Sequence, residues 1–499
     1  MLLNLRTRVF YCLVITVLPG SLVAASTDID VRSIAAITDD YLLEEYPVGA
    51  ADVPVRLDFV VAPDEYEPAS FVVHANRSVE GLNIRATALH DSTGEILEGA
   101  SLDIRIVKRW YQKNFGGHSP PELKNITSEL LVYDDKLIRV EDGENYLRLE
   151  NGKYINISKP DKLKKYLTPT PTAFAVRDAV NLQPIDLLEG ENRQLWVTLH
   201  TPVEASAGRY QAAIELVYHG EVEVVIPVTV EVLPFKLADP GIEYSIYYRG
   251  RLDQNRPEGS VSSEFKSEAQ MLADFRNLRA HGINNPTVYQ KLSTGLLDRV
   301  MELRQQADIS ADSLYYLGIN VVYNYGVVSS RLGREVRETR AIVAEYGVSD
   351  VYFYARDEAR GEELIHQLPF WDAVKEAGGK IMAAGWQNTA RFPGNFDVTG
   401  GEEDLYVCLG TLSPSEAQRW HSKGKLIFSY QNPTGGYELP KTWRRNYGLL
   451  LWQAGYDGGM PYAWQHSFGN GWNDFDHYRH RDHNFTYPTL DQPIDTVQW

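Results

Sequence analysis

The pattern of apolar and polar side chains changes its period once along the chain, near residue 241. Before that point, short segments alternate apolar and polar residues between Gly or Pro, as in "RLDFVVAPDEYEPASFVVHA" (56–75). This alternation is typical of β-strands with one buried face. Residues 120–185 are less regular, with Lys-rich and Pro-containing loops. We predict a β-rich domain over 26–184 with an irregular insertion, then a β-sandwich segment over 185–240.

Beyond residue 241, short strand-like runs alternate with segments of helical period. In "SEAQMLADFRNLRAHG" the apolar residues stand at helical spacing and Gly282 follows the end. Eight strands are predicted, at residues 244–249, 285–289, 317–323, 350–356, 380–386, 404–409, 425–431 and 458–465. Eight strands with intervening helices over roughly 250 residues predict a C-terminal (β/α)8 TIM barrel at 241–499. A doubly wound open sheet is the alternative, but no Gly-rich phosphate loop follows the first strand.

The first 25 residues have the composition of a secretory signal peptide. Arg6 and Arg8 precede an apolar run, and a small-residue cleavage site ends at Ala25. The run is short for a membrane span, no Cys follows the cleavage site, and no second hydrophobic span is found. We expect an exported protein, periplasmic or extracellular, without a stable membrane anchor.

Charge and cysteine content narrow the function classes further. The formal net charge is −18, which argues against nucleic-acid binding because that requires a basic surface. Cys12 leaves with the signal peptide, so Cys408 remains alone and no intramolecular disulfide can form. We expect Cys408 to be a buried core residue.

The predicted strands end in aromatic and amide side chains. In a barrel these ends meet at the catalytic face, where apolar walls with a few polar groups suit sugar rings. The alternative is that Tyr and Trp only pack the rim. The candidate substrate-binding residues, including two from a late segment, are Tyr247, Arg249, Tyr323, Tyr325, Trp386, Asn388, Tyr430, Gln431, Asn432, Trp464, Trp472 and Tyr487.

Asp357 and Glu358 follow the fourth predicted strand without a spacer, in "VYFYARDEAR". They are the candidate catalytic residues, although acids are also common at helix starts. A retaining glycosidase of the usual kind needs two carboxylates that flank the bond, about 5–5.5 Å apart. Adjacent side chains on a regular strand point to opposite faces, so both reach one pocket only if the strand ends or bulges there.

A separate nucleophile is missing from the expected place. The seventh strand ends in "SYQNP" (429–433) with no acid, and Glu438 is a weak substitute. A 2-acetamido group on the substrate can itself attack the anomeric carbon, and substrate-assisted glycosidases use this route. Asp357 would then orient the acetamido group, and Glu358 would serve the glycosidic oxygen as general acid.

The chain resembles glycoside hydrolase family 123 and related barrel proteins of unknown function. The resemblance covers about residues 185–499 and rests on "VYFYARDEA", "FRNLRAHGINNPT", the strand region ending "VIPVTVEVLPFKL", and "PYAWQ…WNDF…FTYP". It implies a β-N-acetylgalactosaminidase with substrate assistance, whose adjacent acids match Asp357 and Glu358. Two departures are Ala359, where the family commonly has Pro, and the end at Trp499, which leaves open a truncated C-terminus.

Two charged clusters have simpler interpretations than ligand binding. "HYRHRDH" (477–483) matches no closed zinc pattern, so we interpret it as a polar rim loop and expect neither metal nor cofactor. Arg249 and Arg251 would either bind an anionic substrate or pair with local acids. We favour pairing with local acids.

The sequence therefore predicts an exported glycoside hydrolase that acts on a glycan or glycoconjugate. The favoured substrate is a β-linked 2-acetamido sugar, above all N-acetylgalactosamine, cleaved with retention. The alternatives are a glycosidase on a non-acetamido sugar with the same acid, or a non-catalytic carbohydrate-binding protein.

Overall fold

The computed structural model describes residues 28–39, 55–113, 123–159, 175–309, 311–322, 327–389, 391–430, 434–436, 438–477 and 480–499. The predicted signal peptide lies outside these ranges. Within them, no helix is both long and apolar enough to cross a membrane.

The first unit is built from two five-stranded sheets and a small three-stranded sheet. The sheet orders are β1-β3-β11-β5-β6, β10-β4-β12-β13-β2 and β7-β8-β9. Their strands are β1 (Ile29–Ile34), β2 (Leu57–Val61), β3 (Tyr66–Ala75), β4 (Val79–Ala86), β5 (Ser101–Lys113), β6 (Lys124–Val132), β7 (Ile138–Glu141), β8 (Glu144–Arg148), β9 (Tyr154–Asn156), β10 (Ile185–Leu187), β11 (Asn192–His200), β12 (Gly208–Tyr218) and β13 (Glu221–Val232).

The two larger sheets bury alternating side chains against each other. In β2, Leu57, Phe59 and Val61 are buried while the residues between them are exposed. They share one core with Phe71 and Val73 of β3 in the other sheet. The alternation seen in the sequence therefore corresponds to a sandwich with one apolar interior.

Later strands complete sheets that earlier strands begin. β11 lies between β3 and β5 in one sheet, and β12 and β13 join β4 and β2 in the other. The predicted boundary between residues 184 and 185 therefore falls inside one two-sheet unit. Sequence order suggested two separate β regions because strand pairing over more than a hundred residues leaves no local signal.

The second unit contains a seven-stranded parallel sheet, ordered β14-β22-β21-β20-β19-β18-β17. Its strands are β14 (Glu243–Tyr244), β17 (Ser313–Tyr316), β18 (Asp350–Tyr354), β19 (Lys380–Trp386), β20 (Leu405–Leu409), β21 (Leu426–Ser429) and β22 (Gly458–Gly459). Short pairs are formed by β15 (Arg251–Leu252) with β16 (Phe265–Lys266), β23 (Gln465–His466) with β24 (His483–Asn484), and β25 (Thr486–Tyr487) with β26 (Ile494–Asp495).

Helices alternate with the strands of this sheet, as predicted. In the described ranges they are α1 (Glu268–Ala280), α2 (Leu297–Gln306), α3 (Ser330–Ala344), α4 (Glu362–Ile365), α5 (Leu368–Glu376), α6 (Asn395–Thr399), α7 (Pro414–His421), α8 (Pro440–Arg445) and α9 (Leu451–Gln453). A π-helical turn, Asn446–Leu450, joins the last two. Ser267 and Gln270 form a capping box at the start of α1, which explains why the helix begins there.

Four of the eight predicted strands differ in the structure. The first and the eighth are only two residues long, at β14 and β22. The third strand is β17, Ser313–Tyr316, and so precedes the predicted 317–323. The second, predicted at 285–289, is a single parallel bridge between Val288 and Tyr316. This segment nevertheless bonds to β17 and to the chain just after β14, because the N–H of Val288 donates to Tyr315 (2.8 Å) and that of Thr287 to Ile246 (3.1 Å).

Both faces of the parallel sheet are buried, as is usual for parallel sheets. In β18, Val351 and Phe353 pack in the core beneath the helices. Tyr352 and Tyr354 point to the other side, where Tyr352 packs in a core with Tyr247. This alternation places the tyrosines on the face from which the candidate site opens.

Candidate functional site

A cavity of about 1040 Å³ opens at the carboxyl ends of the parallel strands. Such ends are where α/β sheets bind ligands. Among its lining residues are the acids Asp357 and Glu358 after β18. The polar side chains that follow the other strands there are Tyr247, Arg249, Tyr289, Tyr430, Tyr462 and His466.

The backbone turns at the acid pair. β18 ends at Tyr354, and Glu358 has a φ of 44°, in the left-handed region that non-glycine residues seldom adopt. The regular alternation of a strand no longer applies there, so the neighbouring side chains of Asp357 and Glu358 both line the cavity. From the sequence, both acids can reach one pocket only if the strand ends or bulges at the pair. The structure meets this condition, because the strand ends just before it.

Each acid accepts a hydrogen bond from a different tyrosine. The Tyr354 hydroxyl donates to Oδ1 of Asp357 at 2.5 Å. The Tyr430 hydroxyl donates to Oε1 of Glu358. Tyr247 lies between them, with its hydroxyl 3.5 Å from that of Tyr354 and its ring packed against Tyr430.

These tyrosines remain hydrogen-bond donors at neutral pH. Burial, with Tyr247 and Asp357 nearby, raises the pKa of Tyr354 well above its usual value. Burial and the hydrogen bond to Glu358 raise the pKa of Tyr430 in the same way. The hydroxyl hydrogens are therefore available to hold both carboxylates in place.

An ion pair supports the opposite wall. Glu264 is buried and accepts from Nε of Arg249 and from Nη2 of Arg251, both at 2.6 Å. The two arginines thus make the local pairing that the sequence favoured, although Arg249 also lines the cavity. The Arg249 guanidinium lies 5.2 Å from the ring centroid of Tyr289 and donates to the Tyr462 hydroxyl at 3.3 Å.

An aromatic wall completes the cavity. His466, Phe468 and His483 line it, and the ring centroid of Phe468 lies 4.8 Å from that of His466. Burial, followed by the charge of Arg249, lowers the pKa of His466 well below its usual value. Burial, with His480 nearby, lowers the pKa of His483 to about 4. Both imidazoles are therefore uncharged at neutral pH.

The structure brings five predicted site residues to the cavity and places others elsewhere. Those at the cavity are Tyr247, Arg249, Asp357, Glu358 and Tyr430. Trp386 is half-buried under the Arg360 guanidinium, 3.9 Å from its ring centroid, and Asn388 is exposed; neither lines the cavity. Tyr323, Tyr325, Gln431 and Asn432 lie outside the described residues.

The remaining three predicted residues belong to cores. Trp464 is fully buried and packs against Tyr248, with ring centroids 5.4 Å apart. Trp472 and Tyr487 pack against Trp110 of β5, within the core of the first unit. They were selected because strand ends and late aromatics suit sugar binding, but Trp464 is buried in the core of the second unit and the other two in that of the first.

Several cavity residues were not selected from the sequence, among them Tyr354, Tyr462 and Phe468. Tyr354 could have been selected from the sequence. It follows Tyr352 at strand spacing, on the face of the strand that leads to the acids. Tyr462 and Phe468 lie in irregular segments beyond β22, where no period indicates a direction.

Free carboxylates other than the acid pair are scarce at the cavity. Among the described residues, Glu335 is the one further acid that lines it, and its Oε1 lies 2.9 Å from Nε of Arg331. Glu438 is buried, bonded to Arg481, and does not line the cavity. The segments 323–326 and 431–433, which follow lining residues in the chain, contain no Asp or Glu.

The histidines of the "HYRHRDH" segment lie around the ring of Phe468, with ring centroids 4.5 to 6.1 Å from its own. Within the part of the chain that the structure describes, no group of three or more His, Cys, Asp or Glu side chains is placed to hold a metal ion. Cys408 is buried in β20.

Known structures resemble this chain, whereas the sequence comparisons found no match. No protein-family model matches it, and no curated protein matches it either. A family 123 glycoside hydrolase from Clostridium perfringens, described in terms of glycolipid glycan hydrolysis, aligns with a TM-score of 0.60 at 10% identity. The alignment covers 94% of this chain and 86% of that one.

Two further glycoside hydrolases align less well. A family 39 enzyme from Bacteroides cellulosilyticus covers 67% of this chain and 80% of its own, at 11% identity and a TM-score of 0.34. A Thermobaculum terrenum O-GlcNAc hydrolase mutant covers 43% and 55%, at 13% identity and a TM-score of 0.27. Neither score supports a shared fold. The resemblance to family 123 is confirmed at the level of the fold.

Proposed function

We propose that the protein is a glycoside hydrolase. The observation that carries the proposal is that Asp357 and Glu358, adjacent in the chain, line one cavity and are each held by a different tyrosine. A cavity with aromatic walls, a few placed polar groups and two carboxylates suits acid-base cleavage of a sugar. The fold similarity to a family 123 glycoside hydrolase supports the same reaction class.

The proposed scaffold is an irregular (β/α)8 barrel. The segment at Thr287–Val288 would be its second strand, since it bonds to residues after β14 on one side and to β17 on the other. Tyr289, which follows this segment, and Leu317, which follows β17, both line the cavity.

The proposed mechanism is substrate-assisted. The acetamido oxygen of a β-linked 2-acetamido sugar, with N-acetylgalactosamine favoured by the family resemblance, attacks the anomeric carbon. The bond to the leaving oxygen breaks, and Glu358 protonates that oxygen while Asp357 orients the acetamido N–H. Glu358 then takes a proton from the water that opens the cyclic intermediate, so configuration is retained. The scarcity of free carboxylates at the cavity supports this route.

The proposed place of action is outside the cytoplasm. Residues 1–25 have the charge, apolar core and cleavage site of a secretory signal, and the substrate would be a glycan or glycoconjugate met there.

The test is hydrolysis of p-nitrophenyl β-glycosides of N-acetylgalactosamine and N-acetylglucosamine. We expect turnover with a retained anomer by NMR, and a loss of about 10²–10⁴-fold in Glu358→Gln. Glu362→Gln, an exposed acid four residues away, is the control and keeps wild-type activity. Unchanged activity in Glu358→Gln would remove it as the acid. An inverted product would exclude substrate assistance, and binding without turnover would indicate a carbohydrate-binding protein.

A further inference from the structure

One wall of the cavity is a continuous chain of hydrogen bonds. Buried Glu264 accepts from Arg249, whose Nη1 donates to the Tyr462 hydroxyl oxygen at 3.3 Å. The same oxygen lies 2.7 Å from Nδ1 of His466. The chain thus runs from a buried carboxylate to an imidazole that lines the cavity.

The chemistry of these groups determines the direction of each bond. A guanidinium can only donate, so the Tyr462 oxygen accepts from Arg249. The Tyr462 hydrogen is then free to be donated to Nδ1 of His466, and in that arrangement Nδ1 is the unprotonated nitrogen. In a neutral imidazole the hydrogen therefore sits on Nε2.

His466 lines the cavity, and its second ring nitrogen is left for a ligand. Among the described residues Nε2 has no hydrogen-bond partner, and it is not one of the buried polar atoms closed off from solvent. The contact between the Tyr462 hydroxyl and Nδ1 holds the ring in this orientation. Phe468 and His483 pack beside it, with ring centroids 4.8 and 6.1 Å away.

We infer that His466 determines specificity, donating from Nε2–H to an uncharged oxygen of the bound sugar, a hydroxyl or ring oxygen. The inference rests on the proposed glycosidase function and adds a named contact to it. Tyr462 is a positioning residue in this arrangement, since it acts on the sugar through the imidazole.

The charge state of His466 narrows the ligand class. Burial and the nearby Arg249 lower its pKa well below the usual value, so the ring stays neutral over the physiological range. Glu264 pairs with both Arg249 and Arg251, so the cluster keeps one net positive charge while both guanidiniums are bound to a buried carboxylate. At Nε2 itself the donor is neutral, which matches a sugar hydroxyl better than a carboxylate or sulfate, for which a charged donor is the stronger partner.

The experiment pairs His466 variants with substrates that lack single hydroxyls. The probes are p-nitrophenyl β-N-acetylgalactosaminide and its 3-, 4- and 6-deoxy analogues, assayed with wild type, His466→Ala, His466→Gln and Tyr462→Phe. We expect wild type to lose about 10-fold or more in kcat/KM on one analogue. His466→Ala should lose a similar factor on the parent and nothing further on that analogue. His466→Gln, whose amide N–H can replace Nε2–H, should recover part of the discrimination.

Tyr462→Phe gives an independent readout. The imidazole stays in place, but no hydroxyl then fixes which of its ring nitrogens carries the hydrogen. We expect the variant to weaken the same discrimination without abolishing turnover. His421→Ala, an exposed histidine paired with Asp457, is the matched control and should behave as wild type.

A binding measurement separates the proposed function from the proposed role of His466. Calorimetry gives the dissociation constants of the same glycosides for Glu358→Gln and for the double variant that also carries His466→Ala. Turnover with equal losses for wild type and His466→Ala on every analogue would overturn the inference and leave the function intact. Absent turnover with His466-dependent binding of one hydroxyl would overturn the function alone. Absent binding of all four glycosides would overturn both.

Discussion

The acid pair depends on an uncommon backbone conformation. Glu358 is one of five non-glycine residues with positive φ in the described ranges, and it is the one at the cavity. Such conformations cost about 1–3 kcal/mol and persist where the surrounding structure enforces them. Here buried Ala359 follows at once and Tyr430 holds the Glu358 side chain, so the strained backbone coincides with the proposed acid.

Loss of the Tyr430 hydroxyl should affect catalysis more than binding. In Tyr430→Phe the ring is kept, but Glu358 loses a charge-assisted donor of about 1.5–3 kcal/mol. We expect kcat to fall by about 10-fold or more with little change in KM, measured on the p-nitrophenyl glycoside. Tyr218→Phe, in a β-strand of the first unit, is the control. An equal effect on kcat and on thermal stability would instead point to a packing role.

At the scale of elements, the last strand of the parallel sheet is defined by glycine. β22 is Gly458–Gly459, between β14 and β21. A Cβ added at Gly458 would lie 2.5 Å from the carbonyl oxygen of Glu243 and 2.6 Å from the Phe428 ring. Only glycine allows the neighbouring strands to approach this closely.

Gly458→Ala should therefore open the sheet beside the cavity. Overpacking of this kind costs about 1–3 kcal/mol, which would lower the midpoint of thermal unfolding by roughly 2–4 °C per kcal/mol. Gly448→Ala is the matched control, because nothing lies within 4 Å of an added Cβ in that helical turn. Calorimetry of both variants measures the difference, and equal midpoints would show that the sheet adapts.

The third strand shows how an element can be displaced along the chain. The apolar run "YLGINVVYNYG" suggested residues 317–323, but β17 ends at Tyr316. Tyr315 explains the position, because its hydroxyl donates to Glu243 at 2.7 Å and its ring packs against Tyr352 and Phe428. These contacts come from three other strands, so local polarity could not reveal them.

At the scale of the whole molecule, a buried polar network joins the two units. Glu129 of β6 accepts from Trp110 at 2.7 Å and from Tyr487 at 3.1 Å. Arg481 lies 3.4 Å from Glu129 and pairs with Glu438. Residues of the C-terminal segment thus reach into the sandwich, while His483, two residues after Arg481, lines the cavity.

This network should make stability depend on pH. Burial, with repulsion from Glu438, raises the pKa of Glu129 from 4.5 to about 8. Between these values the native state binds more protons than the unfolded state, so the contribution of Glu129 to stability falls as pH rises. Glu129→Gln, which resembles the protonated carboxyl, should flatten the decline in unfolding free energy between pH 5 and pH 8.

Guanidinium unfolding at both pH values measures this slope. Glu221→Gln, an exposed acid of the same unit, is the control and should retain the wild-type slope. A slope that is unchanged in Glu129→Gln would show that another group of the network takes up the proton.

The local sequence pattern was enough to predict the types of the elements and the two acids at the centre of the candidate site. Alternation predicted the sandwich strands, helical period predicted α1, and a strand that stops at two acids predicted Asp357 and Glu358 at one cavity. These features depend on neighbours within a few residues, which is the range over which side-chain period acts.

Only the tertiary structure decided which aromatics reach the cavity and which strands share a sheet. Trp464, Trp472 and Tyr487 looked like site residues, yet they pack into cores, whereas Tyr354 and Tyr462 reach the acids or the wall that faces them. The choice between core and cavity depends on contacts between residues far apart in sequence. Burial of apolar surface over the whole molecule sets those contacts, and no local pattern encodes them.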